Sequence, residues 1–208
     1  LVADHAQKFF FNSGPLTPGA CAARYAARTN EISRAVVGES ARWGDAKTEP
    51  PLTRANWLSA VSSLMTGYFP QRSGIVMNQL VARGLYPTNA APRFNQHGGV
   101  VTNGFDLSIT VTNGTIFYTL DGTDPRLPGG GVAPSAITYA GPIPLSESVI
   151  VKTRARAGIS WSALTEAPFY IQQNYSGLLL TEILYHSPDF AGLDGDQFEF
   201  VELKNVSA

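Results

Sequence analysis

Apolar and polar positions change their period once along this chain. In the first part, apolar residues recur every three or four positions. Cys21, Tyr25, Ile32, Val36 and Trp43 fall at spacings of four and seven, which places them on one helical face. Arg24, Arg28, Glu31 and Arg34 fall largely on the other faces. Thr17 is a suitable N-cap, Pro18 suits the first helical position, and Gly44 suits the C-terminal end. The polar stretch DAKTEPP then predicts a loop. A second helix is predicted from Thr53, with Trp57, Leu58, Val61, Leu64 and Met65 as its stripe. Pro70 ends that helix or opens the next. A third, shorter helix holds Ile75, Val76, Leu80 and Val81. Gly84 stands at its C′ position, Leu85 is its hydrophobic partner and Pro87 the stop.

Near residue 93 the period shortens to two. FDLSITV, from Phe105 to Val111, alternates as a half-buried strand does. Asn113-Gly114 follows, a strong hairpin signal, and TIFYTL supplies the expected return strand. DGTDPRLPGGGVAPS is a long turn-rich loop. ITYAGPIPL reads as a short strand broken by prolines, suited to a sheet edge. VIVKTRARAG puts Val149, Val151, Thr153 and Ala155 on one face, and the segments around Trp161 and APFYI complete the set. Beyond residue 172, GLLLTEILYHS and QFEFVELKN predict two more strands joined by an Asp- and Gly-rich loop. Two strands alone are marginal in water and need a partner sheet.

The expected fold is therefore α+β and multidomain. An N-terminal helical segment (1–92) precedes an antiparallel Ig/fibronectin-III-like β-sandwich (93–172) and the first strands of a partial second β-sandwich (173–208). The chain reads as a fragment of something larger.

Composition narrows the function classes. Of 208 residues, 44% are hydrophobic and 15% charged, which excludes a disordered chain. A net charge of −1 gives no field to attract nucleic acid or anionic lipid. No apolar stretch approaches a membrane span. Asp4, His5 and Lys8 interrupt any signal-peptide core. One cysteine, Cys21, forms no internal disulfide and no Cys-rich metal site, and it reads as a small buried hydrophobe.

Few residues offer chemistry. Asp121 and Asp124 in DGTDP could present oxygens to Ca²⁺. The preferred reading is structural: both carboxylates accept backbone N–H bonds, Gly122 permits the turn and Pro125 fixes the bend. Asp189, Asp194, Asp196 and Glu199 read the same way, as a solvated turn. His5, His97 and His186 are scattered, and His97 in NQHGG suits a linker that bonds backbone. There is no nucleophile elbow and no phosphate-binding glycine loop; Gly129 to Val132 is read as a flexible loop. Trp43 and Trp57 are expected in the helical core. Trp161 with Tyr118 or Tyr139 could form a sugar-stacking platform, although a core role is the commoner fate of such a Trp. Arg154 and Arg156 are expected on a solvated strand face. Asn113, Asn174 and Asn205 open N-x-[ST] triplets, which in a bacterial source carry no glycan information.

TIFYTLDGTDPRLPGG and VKTRARAGISWSALTEAPFYI resemble the domain found at the C-terminus of chitobiases and β-hexosaminidases, which has a fibronectin-III-like sandwich. LLLTEILYHSP and DGDQFEFVELKN resemble the opening of a lamin-tail domain. RAVVGESARWGD, LTRANWLSAVSSLMTGYFPQRSGIVMNQLVARGLYP and FNQHGG resemble the C-terminal helices of the CotH-like (spore coat protein H) kinase family. These resemblances imply a secreted or cell-surface bacterial multidomain protein. They imply no catalytic residue and no cofactor or metal in this chain, because the kinase motifs would lie upstream. The function expected is non-catalytic spacing or docking of neighbouring domains in the same chain, with a cell-surface protein or glycan as a further partner. No nucleic-acid partner and no membrane span are expected. The alternatives are a carbohydrate-binding accessory module, and the C-terminal part of a CotH-like kinase.

Overall fold

The computed structural model describes residues 1–46 and 48–206. Helices come first: α1 Val2–Phe10, α2 Pro18–Ile32, α3 Ala35–Trp43, α4 Arg54–Ser63 and α5 Phe69–Ala82, with a π-helical turn at Leu64–Tyr68. Their ends follow local chemistry. Thr17 caps α2 by accepting from the Ala20 N–H, with Pro18 at the first position. Thr53 and Asn56 form the capping box of α4. Gly84, at φ +66°, closes α5: its N–H bonds the Val81 carbonyl, and the Leu85 N–H bonds that of Leu80. That pair of bonds is a Schellman motif.

Three helical expectations change. The helix predicted to run from Pro18 to Trp43 breaks at Ser33–Arg34. Arg54 caps the break, its Nε 3.1 Å from the Ser33 carbonyl and its Nη2 2.6 Å from the Ser33 hydroxyl. Those bonds satisfy groups that a helix end leaves free. Pro70 opens α5, which is a 14-residue helix and not a short one. Finally, α3, α4 and α5 contain no buried residue. Trp43 is 57% exposed and Trp57 half-buried, so neither is core.

The strands are β1 Arg93–Phe94, β2 Gly99–Val101, β3 Phe105–Leu107, β4 Ile109–Thr110, β5 Thr115–Thr119, β6 Ile137–Thr138, β7 Ile143–Leu145, β8 Val149–Ala157, β9 Ser160–Trp161 and β10 Thr165–Ile171. The main sheet runs β2-β10-β8-β5-β6, with β9 added to β8. Two small sheets, β1-β4 and β3-β7, supply further pairing. The registers of β5, β6, β9 and β10 are antiparallel, as are those of the small sheets. This is an α+β fold, with helices followed by a sandwich-like β module. Leu107, Val151, Ala155, Ala167 and Phe169 are fully or almost fully buried. Phe169 packs against Phe94 and Phe105 at centroid distances of 5.9 and 6.2 Å.

The predicted strand over Phe105–Val111 switches partners at Ser108. Asn95 grips that residue: its backbone N–H bonds the Ser108 carbonyl and its Oδ1 accepts the Ser108 N–H, both at 3.0 Å. β3 pairs with β7 and β4 with β1. Asn113-Gly114 consequently joins no hairpin, because β5 pairs with β8 and β6. The turn carries the chain from the small sheets into the main sheet. Gly114 has φ +92°, and a Cβ there would lie 2.6 Å from the Arg156 carbonyl oxygen. ITYAGPIPL yields two strands. β6 takes the edge of the main sheet, and the strand that carries Pro144 pairs with β3 in a separate small sheet.

The contacts divide the chain into two compact units, Leu1–Tyr170 and Ile171–Ala208. Residue 92 thus marks a change of element type inside one unit. In the second unit, β11 Leu178–Leu184 pairs antiparallel with β12 Phe200–Asn205, with a bulge between Leu180 and Glu182. Asp189 Oδ1 accepts the Gly195 N–H and Asp194 Oδ1 the Asp196 N–H, so these two carboxylates shape the connecting loop.

Gly114→Ala is expected to lower unfolding stability by about 2 kcal/mol or more, from positive-φ strain and the close carbonyl. Gly38→Ala, inside α3 with nothing within 4 Å of the new Cβ, is expected to raise it by about 0.8 kcal/mol. Urea unfolding of both variants checks the pair; equal effects would contradict the sheet-switching turn.

Candidate functional site

β8 is the centre of the main sheet, flanked by β10 on one side and β5 on the other. Val151, Thr153 and Ala155 on one of its faces are buried. The opposite face carries Arg154, which is only 4% exposed, against the solvated face expected from the alternation. A guanidinium carries five N–H donors and no acceptor. All five find oxygens. Nε and Nη2 bond the two oxygens of Asp124 at 2.8 and 2.7 Å. Nη1 and Nη2 bond the two oxygens of Asp4 at 2.8 and 3.0 Å. The second Nη1 hydrogen goes to the Ser162 carbonyl at 2.9 Å. The arginine is therefore held as a double fork, the geometry in which guanidinium–carboxylate pairs are strongest.

Each partner comes from a different element. Asp4 lies in the first turn of α1 and also accepts the Leu164 N–H at 2.8 Å. Asp124 belongs to the DGTDP turn, where Oδ1 also accepts the Arg126 N–H at 2.9 Å. Ser162 follows β9, and its hydroxyl accepts the Ala155 N–H at 2.9 Å. Burial pulls the Asp4 and Asp124 pKa values up. The bonds from Arg154 and from Leu164 or Arg126 N–H outweigh burial and hold both below the usual 3.8. Burial likewise lowers the Arg154 pKa, but its two carboxylates push it above its ordinary value.

The rest of α1 is tied to the sheet by further polar links. Lys8 Nζ lies 2.8 Å from Glu166 Oε1, and Lys152 Nζ lies 3.6 Å from Glu166 Oε2. Gln7 is buried, and its Oε1 accepts the Tyr86 hydroxyl. Burial, then the nearby Asp4 charge, push the Tyr86 phenol up to about 12, so it stays a donor. Thr165 reaches back to the Pro92 carbonyl at 2.7 Å.

The residues singled out in the sequence are turn builders. Asp121 Oδ1 accepts from the Thr123 N–H and hydroxyl at 2.9 and 2.6 Å. Gly122 has φ +76°, and Pro125 is fully buried. The glycine stretch is pinned, not free: Trp161 Nε1 donates to the Gly130 carbonyl at 2.8 Å. Trp161 is 7% exposed and packs against Phe117, with Arg156 over its ring. Tyr139 accepts the Ile109 N–H, and the Tyr118 and Tyr139 rings stand at 79°. The flat sugar-stacking platform from these three aromatics does not form, because the indole is consumed inside the module. His97 stacks on Phe94 at 5.9 Å, with its Nδ1 buried and unbonded instead of bonding backbone, and burial lowers its pKa. Among the described residues, no group of three or more His, Cys, Asp or Glu is placed to hold a metal ion. No helix among them is long and apolar enough to cross a membrane.

Arg154→Leu strands two carboxylates and is expected to cost about 3 kcal/mol. That is the low end for a broken buried pair, because Asp4 and Asp124 stay 29% and 36% exposed. The sign with pH is fixed by the lowered carboxylate pKa values. Their stabilisation is complete above the unfolded value near 4 and is lost as pH falls through the lower folded values. The gap between wild type and Arg154→Leu should thus be largest at neutral pH and shrink below about pH 4. Urea unfolding across pH checks this; a gap independent of pH would contradict the pairing.

Residues 105–165, from β3 into the start of β10, match the protein family described as Fn3 associated. No curated protein matches the chain. The matched stretch is a fibronectin-III-associated domain. It holds Asp124, Arg154 and Ser162, whereas Asp4, the residue that joins α1 to them, lies outside it.

Proposed function

We infer that this chain is a non-catalytic structural module that holds neighbouring domains at a fixed spacing. The observation that carries this reading is Arg154, whose five donors tie α1, the DGTDP turn and the β9–β10 connection to the central strand. A flexible joint between helices and sheet would need only a polar linker. A buried double fork fixes orientation as well as distance, because both carboxylates must lie in the guanidinium plane. Both oxygens of Asp124 are taken by Arg154, and Asp121 Oδ1 is held by Thr123, which suits a scaffold. On the resemblances, the helical segment would be the end of a CotH-like domain, residues 93–172 a chitobiase-C-terminal-like sandwich, and residues 173–208 the opening of a lamin-tail-like domain. The setting would be secreted or cell-surface, and the chain would supply no reacting group.

Hydrogen exchange on the full chain tests the rigid joint. Amides of α1 and β8 should open with the same free energy in the wild type. In Asp4→Ala, α1 should lose at least tenfold in protection while β8 keeps most of its own. Independent fraying of α1 in the wild type would contradict the reading.

A further inference from the structure

The tetrapeptide Val-Thr-Asn-Gly occurs twice in the chain, at Val101–Gly104 and at Val111–Gly114. These copies hold its two Asn-Gly dipeptides. In such a pair the glycine nitrogen can attack the side-chain amide before it, because no Cβ blocks the approach. Local sequence therefore gives the two asparagines the same reactivity. Exposure does not separate them either. Thr102, Asn103 and Gly104 are exposed, and so are Thr112, Asn113 and Gly114. Both glycines have positive φ, +79° and +92°. Neither asparagine side chain has a hydrogen-bond partner among the described residues.

Backbone hydrogen bonds do separate them. The Gly104 N–H bonds the Leu145 carbonyl at 2.8 Å, and the Phe105 N–H closes the turn on the Thr102 carbonyl at 3.1 Å. The nitrogen that would attack is thus spent on the end of β7. To react, it must lose its acceptor and the turn must open. At the second copy the N–H groups of Thr112, Asn113 and Gly114 have no acceptor among the described residues. They are exposed, so water takes that place. The cause is the switch between sheets. β4 belongs to a small sheet and β5 to the main sheet, so neither ladder extends across the segment between them. Pairing resumes at Thr115, opposite Arg156.

We propose that Asn113 is a site of spontaneous deamidation and that the fold protects Asn103 in the same tetrapeptide. Hydroxide removes the Gly114 amide proton. The nitrogen then bonds to Asn113 Cγ, the Cγ–Nδ2 bond breaks, and ammonia leaves with a proton taken from water. The succinimide that remains adds water at either carbonyl and opens to aspartate or isoaspartate. No electrons are transferred, and water is the co-reactant. Each event adds one negative charge. The isoaspartate also adds one carbon to the backbone of the turn that feeds β5. Neither asparagine bonds a residue of the Arg154 clamp, so this chemistry is independent of the scaffold reading.

The test incubates the full chain at mildly alkaline pH and reads initial rates at both sites by peptide mass spectrometry, with electron-transfer fragmentation to resolve isoaspartate. In native buffer Asn113 should convert at least about tenfold faster than Asn103, the factor that opening the two turn bonds supplies. In denaturing urea those bonds are gone, and the two rates should agree within about twofold. Asn113→Gln closes the corresponding larger ring far more slowly, and should remove the acidic form that accumulates on ion exchange. Four results would overturn the proposal: no conversion at Asn113 in native buffer; conversion of Asn103 as fast as that of Asn113; a difference between the sites that persists undiminished in urea; or an acidic form that Asn113→Gln leaves in place.

Discussion

Burying a guanidinium commits five donors, and each must meet an oxygen within the protein. That constraint at Arg154 organises the rest of the first unit. Two carboxylates and one carbonyl have to converge on the centre of β8 from three directions. The DGTDP turn supplies one, and its Asx geometry and buried Pro125 keep Asp124 in place. α1 supplies the second, held in turn by the Leu164 N–H. Breaking any arm would leave a buried or half-buried charge short of its partner, which costs more than the net stabilisation of the pair itself.

The same economy runs through the loop after β5. Trp161 fills the module and uses its N–H to hold the Gly130 carbonyl, while Arg126 and Val132 bridge the loop's two limbs. A segment whose composition suggests mobility is thereby fastened at its tip and at its base. Asp121 Oδ1 holds Thr123, and Asp124 takes the Arg126 N–H and Arg154.

Local signals were legible in the sequence because they act within a few residues. Thr17, Thr53 and Gly84 name helix ends through bonds to backbone three or four positions away, and each end lies where these residues place it. Pairing partners were less legible. Asn113-Gly114 encodes a sharp turn but not which strands flank it, and here the turn joins different sheets. The burial of Arg154 was invisible to a period-two pattern. Its partner Asp4 lies 150 residues away in sequence and on a helix. The one available signal was the β-branched run Val149-Ile150-Val151, which marks a central strand, whose faces are the ones other elements cover. Trp43 and Trp57 were misjudged because periodicity reports a helix face and not what covers it.

Arg154 is held by two carboxylates at once. Nitrogen-15 NMR of its guanidinium at neutral pH tests this directly. Separate Nη1 and Nη2 signals are expected, with N–H protons protected from water because rotation about the Nε–Cζ and Cζ–Nη bonds is blocked. A single averaged Nη signal exchanging as fast as that of a surface arginine would contradict it.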